Sequence, residues 1–213
     1  MEPKFWHERW ERNEIRFHNE TVNPLLVKHS DALGLSPGQR IFVPLCGKTL
    51  DIGWLLQQGY RVAGVELSDL AVQQLFTQLA TVPTVTTRGT LKHFHIPNLD
   101  IFCGDLFTLS PELLGPVNAV YDRAALVALP RPIRDRYTAH ITTLTACARQ
   151  LLISFDYDQS LVDGPPFSVP AEEIRAHYGD RYRITLLERE DVPGGLKGRC
   201  PAVESVWSLL PAR

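Results

Sequence analysis

Short apolar runs alternate with helical patterns along this chain, and that alternation constrains its fold more than any other feature. Arg40-Ile41-Phe42-Val43-Pro44-Leu45 reads as a buried strand that Pro44 terminates, because proline has no amide hydrogen for the ladder. Residues 48–58 read as a helix stopped by Gly59, and Arg61 to Glu66 as a second strand. Ser68 or Asp69 caps the next helix, where Val72, Leu75, Phe76 and Leu79 keep the i, i+3, i+4, i+7 spacing that puts all four on one face. An earlier helix is expected over residues 22–33, ending at Gly34. Residues 91–95 and 99–103 read as paired strands around Pro97-Asn98, while Val117 to Tyr121 and Leu151 to Phe155 read as buried strands. A helix over 131–147 carries Ile133, Tyr137, Ile141 and Leu144 inward; another covers 171–178, and 182–188 with 203–210 form a closing antiparallel hairpin. Such alternation implies a mainly parallel sheet with helices on both faces. No repeat, low-complexity tract or long linker interrupts the 213 residues, so residues 1–213 are expected to form one α/β domain.

In sheets of this kind ligands bind outside the carboxyl ends of the strands. That singles out Leu45 to Lys48, Glu66, Gly104-Asp105, Asp122-Arg123 and Asp156. The Cys46-Gly47 turn lets backbone approach a ligand closely. Glu66 follows about twenty residues later, where an acid accepts hydrogen bonds from both hydroxyls of a ribose. Asp105 ends a third strand, placed to accept from an adenine amino group. Each has a plainer reading: a common turn glycine, a surface acid, a helix cap. Their shared rim favours an adenosine-containing cofactor. A dinucleotide is disfavoured, because Pro44-Leu45-Cys46-Gly47-Lys48-Thr49 holds one glycine where a pyrophosphate needs G-x-G-x-x-G. A P-loop is the main competitor. Gly47-Lys48-Thr49 matches its end, and Leu151 to Asp156 resembles the apolar strand and aspartate of a magnesium site. However, Phe42 stands where the first glycine belongs, and three residues between strand and Gly47 are too few to wrap a phosphate.

A net charge of −2 provides no basic excess for a phosphate backbone, so no nucleic-acid partner is expected. No apolar run reaches the ~20 residues of a membrane span, and Met1 to Asn13 is too rich in charge and tryptophan for a signal peptide. The four cysteines, Cys46, Cys103, Cys147 and Cys200, have no C-x-x-C spacing and read as free thiols of a cytoplasmic protein. His93 and His95 alternate along one strand and share a face, but no third ligand is apparent, so no metal is expected. With no coiled-coil heptad or interface helix, the expectation is a monomer.

Five blocks carry a resemblance to a known family. They are Phe5-Trp6 and Trp10 with Phe17-His18; Val43-Pro44-Leu45-Cys46-Gly47-Lys48; Gly64-Val65-Glu66; Tyr121-Asp122-Arg123-Ala124-Ala125-Leu126; and Ser154-Phe155-Asp156-Tyr157 with Gly164-Pro165-Pro166-Phe167. In this order and spacing they resemble the thiopurine S-methyltransferase family, its bacterial members above all, over nearly the whole chain. The resemblance implies a Rossmann-like class I methyltransferase fold with a seven-stranded sheet and a C-terminal antiparallel hairpin. It implies S-adenosylmethionine as cofactor, held by Trp10, Leu45, Glu66 and Arg123. The segment 1–21 would act as a lid, with Phe17 covering the acceptor. The acceptor would be the sulfur of an aromatic or heterocyclic thiol, with selenium or tellurium anions as further candidates. Arg123 is the expected catalytic residue, and its competing role is a plain ion pair with Asp122.

Overall fold

The computed structural model describes residues 3–212. Nine strands form one sheet: β1 (Arg40–Pro44), β2 (Arg61–Glu66), β3 (Thr84–Arg88), β4 (Leu91–Ile96), β5 (Leu99–Cys103), β6 (Ala119–Asp122), β7 (Arg149–Tyr157), β8 (Tyr182–Asp191) and β9 (Ala202–Pro211). Their order is β3-β4-β5-β2-β1-β6-β7-β9-β8. The stretch from β5 to β7 is parallel, while β3, β4 and the β8–β9 hairpin join antiparallel at the two edges. The chain travels from β1 outward through β2, then returns to β6 on the other side of β1. This reversal opens a crevice at the carboxyl ends, between β1 and β6.

Side-chain alternation decides which helices cover which face. Ile41 and Val43 turn to one side, where they pack with Leu26 of α2 (Pro24–His29), Ile52 and Leu55 of α3 (Asp51–Gln57), and Val72, Leu75 and Phe76 of α4 (Asp69–Gln78). Phe42 and Val120 turn to the other, with Leu114 of α5 (Pro111–Leu114), Tyr137 and Ile141 of α6 (Arg131–Leu144) and Ile174 of α7 (Ala171–Tyr178). Phe42, Ile41, Leu55 and Tyr137 are fully buried. Each such apolar side chain stabilises the fold by about 1.5–3 kcal/mol. No helix among the described residues is long and apolar enough to cross a membrane.

The sheet is wider than the seven strands the family resemblance implies. β3 was invisible to a periodicity reading because all five of its side chains are exposed, so no apolar alternation marks it. Only its β-branched residues and the turn glycine, Gly89 at φ 62°, signal the hairpin to β4. Other differences lie at element ends. The helix expected over 22–33 tightens after His29 into a 3₁₀ turn, Ser30–Leu33, and Gly34 ends it in a left-handed conformation at φ 55°. The helix expected from 48 starts at Asp51, and α6 stops at Leu144 because Ala146 and Cys147 take positive φ. In the closing hairpin β8 runs past residue 188 to Asp191, and a register shift between Leu186 and Glu188 breaks the alternation by which a sequence pattern would follow it.

Candidate active site

Pro44 ends β1, and the chain then bends sharply. Leu45 and Gly47 both take left-handed backbone angles, φ 46° and 52°. The bend brings Cys46 back against β2, where its amide donates to Val65 O at 3.0 Å. Its sulfur occupies the space that a Cβ on Gly64 would fill, only 2.9 Å away. Gly64 is therefore required by the turn as much as by the strand.

Glu66 closes this turn from β2. Its Oε2 accepts from the Gly47 amide and its Oε1 from the Ser68 amide, each at 2.8 Å. The side chain is 6% exposed. Burial pushes its carboxyl up, and the amides of Ser68, Gly47 and Leu67 work against that. Each oxygen keeps a further lone pair, and Glu66 lines the large cavity at the strand ends.

That cavity measures about 1400 Å³. A pocket for one small ligand is typically ~300–1,000 Å³, so this one accommodates a nucleoside-sized cofactor together with an acceptor. Of the residues singled out from the sequence, Trp10, Phe17, Leu45 to Lys48, Glu66, Asp105 and Arg123 lie on its wall, while Gly104 and Asp122 do not. Nor does Asp156; it is half-exposed on β7 and faces Arg189 at 3.7 Å. The P-loop reading fails at the same place. The Gly47 amide that would grip a phosphate is bonded to a carboxylate, whose charge would repel one.

One side of the cavity is the N-terminal segment. Trp10 of α1 (Pro3–Glu11) is 4% exposed and lies over the turn, with its ring 3.1 Å from where a Cβ on Gly47 would stand. Phe17 packs edge-on against Trp10 and Trp6, with centroids 5.6 and 5.7 Å apart. Arg123 anchors the segment to the sheet: its Nη1 donates to Phe17 O at 3.1 Å. A second tie is Asp51, which the sequence placed inside a helix without a role. It accepts from the Asn23 amide at 2.8 Å and from the Tyr121 hydroxyl at 3.0 Å.

Asp122 and Arg123 part company at the end of β6. Asp122 is fully buried and accepts from Leu126 N and from the Tyr137 hydroxyl. Burial pushes its carboxyl up to about 6, against those donors. Arg123 points the other way, into the cavity. Among the described residues no ion pair joins the two, so the ion-pair reading of Arg123 is replaced by a guanidinium facing the cavity. Glu204 of β9 lines the cavity too. Burial pushes its carboxyl up, with the charge of Arg123 acting against this. His18 is held below its ordinary value by burial and by the charges of Lys48 and Arg123.

Asp105 takes the plainer role open to it. It is exposed, and its Oδ1 caps the 3₁₀ turn Leu106–Thr108 by accepting from Phe107 N at 3.0 Å. Its carboxylate still borders the cavity. The far wall is the Gly164-Pro165-Pro166 loop, tied down by the Tyr157 hydroxyl donating to Pro166 O at 2.7 Å. Leu196, Lys197 and Arg199 complete the rim from the segment before β9, where no sequence pattern pointed to a role.

The sequence pattern of thiopurine S-methyltransferases matches residues 1–205, which takes in every element up to the first residues of β9. The chain belongs to the thiopurine S-methyltransferase family. The family comprises S-adenosylmethionine-dependent transferases. A thiopurine S-methyltransferase of Xanthobacter autotrophicus is 57% identical over 210 residues, covering 98% of this chain and 99% of the relative. One from Teredinibacter turnerae is 52% identical, covering 98% and 97%. Solved structures agree on the fold. A 1,6-didemethyltoxoflavin N1-methyltransferase from Burkholderia thailandensis, crystallised with S-adenosylhomocysteine, superposes with a TM-score of 0.62 at 16% identity, covering 97% of this chain and 86% of that one. An S-adenosylmethionine-dependent methyltransferase from Anabaena variabilis gives 0.60 at 16% identity, covering 98% and 95%. The class I methyltransferase fold expected from the sequence is therefore present, with β3 and β4 as an added antiparallel edge.

Proposed function

We propose that this methyltransferase transfers a methyl group to the sulfur of an aromatic or heterocyclic thiol in the cavity beneath Trp10 and Phe17. The observation that carries the reading is the pairing of Glu66 with the Gly47 amide across the turn, in a cavity that the Arg123 guanidinium also lines, where among the described residues it forms no salt bridge. Glu66 keeps lone pairs for the ribose hydroxyls of S-adenosylmethionine. The left-handed turn at Leu45 and Gly47 lets main chain lie against the adenosine without a side chain intervening. Asp105 offers its remaining oxygen to the adenine amino group.

The sulfonium of the cofactor supplies an activated methyl group, so the chain need not build a strong electrophile. What remains is positioning, exclusion of water and control of the acceptor's charge. In-line alignment alone supplies about 7–11 kcal/mol. Trp10, Phe17 and the other described residues up to residue 21 form the lid that shuts out water. Arg123 favours the thiolate over the thiol, and the thiolate is the better nucleophile. Because the guanidinium also holds Phe17 O, lid closure and acceptor activation share one residue. An anionic selenium or tellurium species satisfies the same charge requirement and is the second acceptor class.

The test is steady-state transfer to a panel of aryl thiols by wild type, Arg123→Lys and Arg123→Ala. The reading predicts that turnover at saturating S-adenosylmethionine falls in Arg123→Ala, most steeply for thiols of high pKa, beyond any loss of S-adenosylhomocysteine affinity. Unchanged turnover in the folded variant removes Arg123 from the mechanism. Transfer to selenite or tellurite with no transfer to any thiol would replace the acceptor class.

A further inference from the structure

The sequence offered two histidines on one face of a strand and no third ligand. The sheet register supplies one. β4 and β5 pair antiparallel with His95 directly across from Asp100 and His93 two residue pairs along, on the same face of β4. His93 Nε2 and His95 Nδ1 both lie 2.9 Å from the same oxygen, Asp100 Oδ1. All three ligand atoms fall within 4.8 Å of one another. None of the three residues lines the large cavity; Asp100 sits near the start of β5, at the opposite end from Cys103 and Gly104, and draws in the two histidines of β4.

We propose that His93, His95 and Asp100 form a binding site for a divalent transition metal ion of the zinc or cobalt type. Two imidazoles and one carboxylate suit such ions better than magnesium or calcium, which prefer all-oxygen sets. A tetrahedral centre with bonds of about 2.0–2.1 Å separates its ligand atoms by about 3.3 Å. The nitrogen-to-Oδ1 distances here are a few tenths of an ångström short of that, and half-exposed His95 is free to turn outward. His93 is held in place by stacking on Phe102, with ring centroids 4.8 Å apart and planes 11° from parallel. Asp100 is fixed from behind: Arg40 Nη2 donates to its other oxygen, Oδ2, at 2.7 Å, which leaves Oδ1 to the metal. Outer partners of this kind orient a ligating carboxylate. The fourth position opens on a cavity of about 270 Å³ beside His93 and Asp100, where water completes the coordination. Arg40, Arg61 and Arg88 border the same space with Glu112, and their net positive charge holds the affinity below that of a closed structural zinc site. Because the ligands come from both strands, the bound ion pins the edge hairpin onto the parallel sheet.

Untagged full-length protein titrated with zinc by calorimetry should bind one equivalent, and melt at a higher temperature when loaded. Cobalt should give the visible bands of a nitrogen–oxygen site without a thiolate charge-transfer band, which separates this site from Cys147. His95→Ala and Asp100→Asn should each lose at least the roughly tenfold to hundredfold in affinity that removal of an outer partner costs. Both should keep wild-type S-adenosylhomocysteine binding, which shows that the fold survives. No saturable zinc binding by the wild type, or undiminished binding by both folded variants, overturns the proposal.

Discussion

Replacing Glu66 by alanine separates the two tasks of this carboxylate. In the free enzyme the change orphans the amides of Gly47 and Ser68, each bonded at 2.8 Å. A buried donor without a partner costs about 1–3 kcal/mol. Relief of a buried charge offsets part of the pair's cost, since burial already pushes the Glu66 carboxyl up. A net loss of about 2–4 kcal/mol is expected, and at roughly 2–4 °C per kcal/mol the melting temperature should fall by about 5–15 °C. The second task is read on the folded variant. Hydrogen bonds from ribose hydroxyls to a charged acceptor contribute about 1.5–3 kcal/mol, so S-adenosylhomocysteine should bind roughly ten- to a hundredfold more weakly. Glu66→Gln keeps one acceptor oxygen but sets an amide NH₂ against one backbone donor, and should lie between alanine and wild type in affinity. Calorimetric titration well below each variant's melting point measures the affinities. Wild-type affinity in folded Glu66→Ala would mean that the ribose lies elsewhere, whatever happened to stability.

Three other substitutions test the frame around the cavity. Trp10→Leu should weaken S-adenosylmethionine more than neutral S-adenosylhomocysteine, by about two- to thirtyfold for a cation–π contact of about 0.5–2 kcal/mol; equal losses for the two ligands contradict a Trp10–sulfonium contact. Asp122 makes stability depend on pH. Its folded carboxyl titrates near 6 against an ordinary 3.8, so between those values the native state holds a proton that the unfolded state has released, and stability falls as pH rises through that window. The full effect is roughly 3 kcal/mol at 1.36 kcal/mol per pH unit; Asp122→Asn should gain on the wild type from pH 4 to 6 and no further above it, and a pH-independent difference refutes the assignment. Gly64→Ala puts a methyl 2.8 Å from Ile101 Cδ1 and 2.9 Å from Cys46 Sγ, which should cost about 1–3 kcal/mol in urea denaturation; a neutral result would show that the Cys46 turn yields.

The parallel centre was readable because its strands are buried on both faces and its helices carry one apolar stripe. Ile41 to Val43 and Val72 to Phe76 declare themselves by composition and period alone. Glu66 and Gly47 were legible by position, one at a strand end and the other in the preceding βα turn. The direct bond between them was not, since it depends on the left-handed turn at Leu45. The edge strand β3 leaves no apolar pattern because all five of its side chains are exposed. Asp105 satisfied two readings, and only the geometry shows that it caps a turn. Asp122 and Arg123, adjacent and of opposite charge, looked like partners; β6 ends at Asp122, which is buried in the core, while Arg123 lies on the cavity wall. Asp51 and Glu204 carry no motif, and they become site residues only when strands and segments far apart in sequence meet. Asp100 is the same case at the other end of the sheet, where cross-strand register, not sequence spacing, places it between two histidines.

The central claim is that the crevice between β1 and β6 holds an S-adenosyl ligand against Glu66 and Trp10. The most direct measurement is calorimetric titration of the purified protein with S-adenosylhomocysteine, with ATP and magnesium as the control. Micromolar binding of the first with no heat from the second is the predicted result. Folded protein that ignores S-adenosylhomocysteine, or that binds ATP with magnesium in its place, would contradict it.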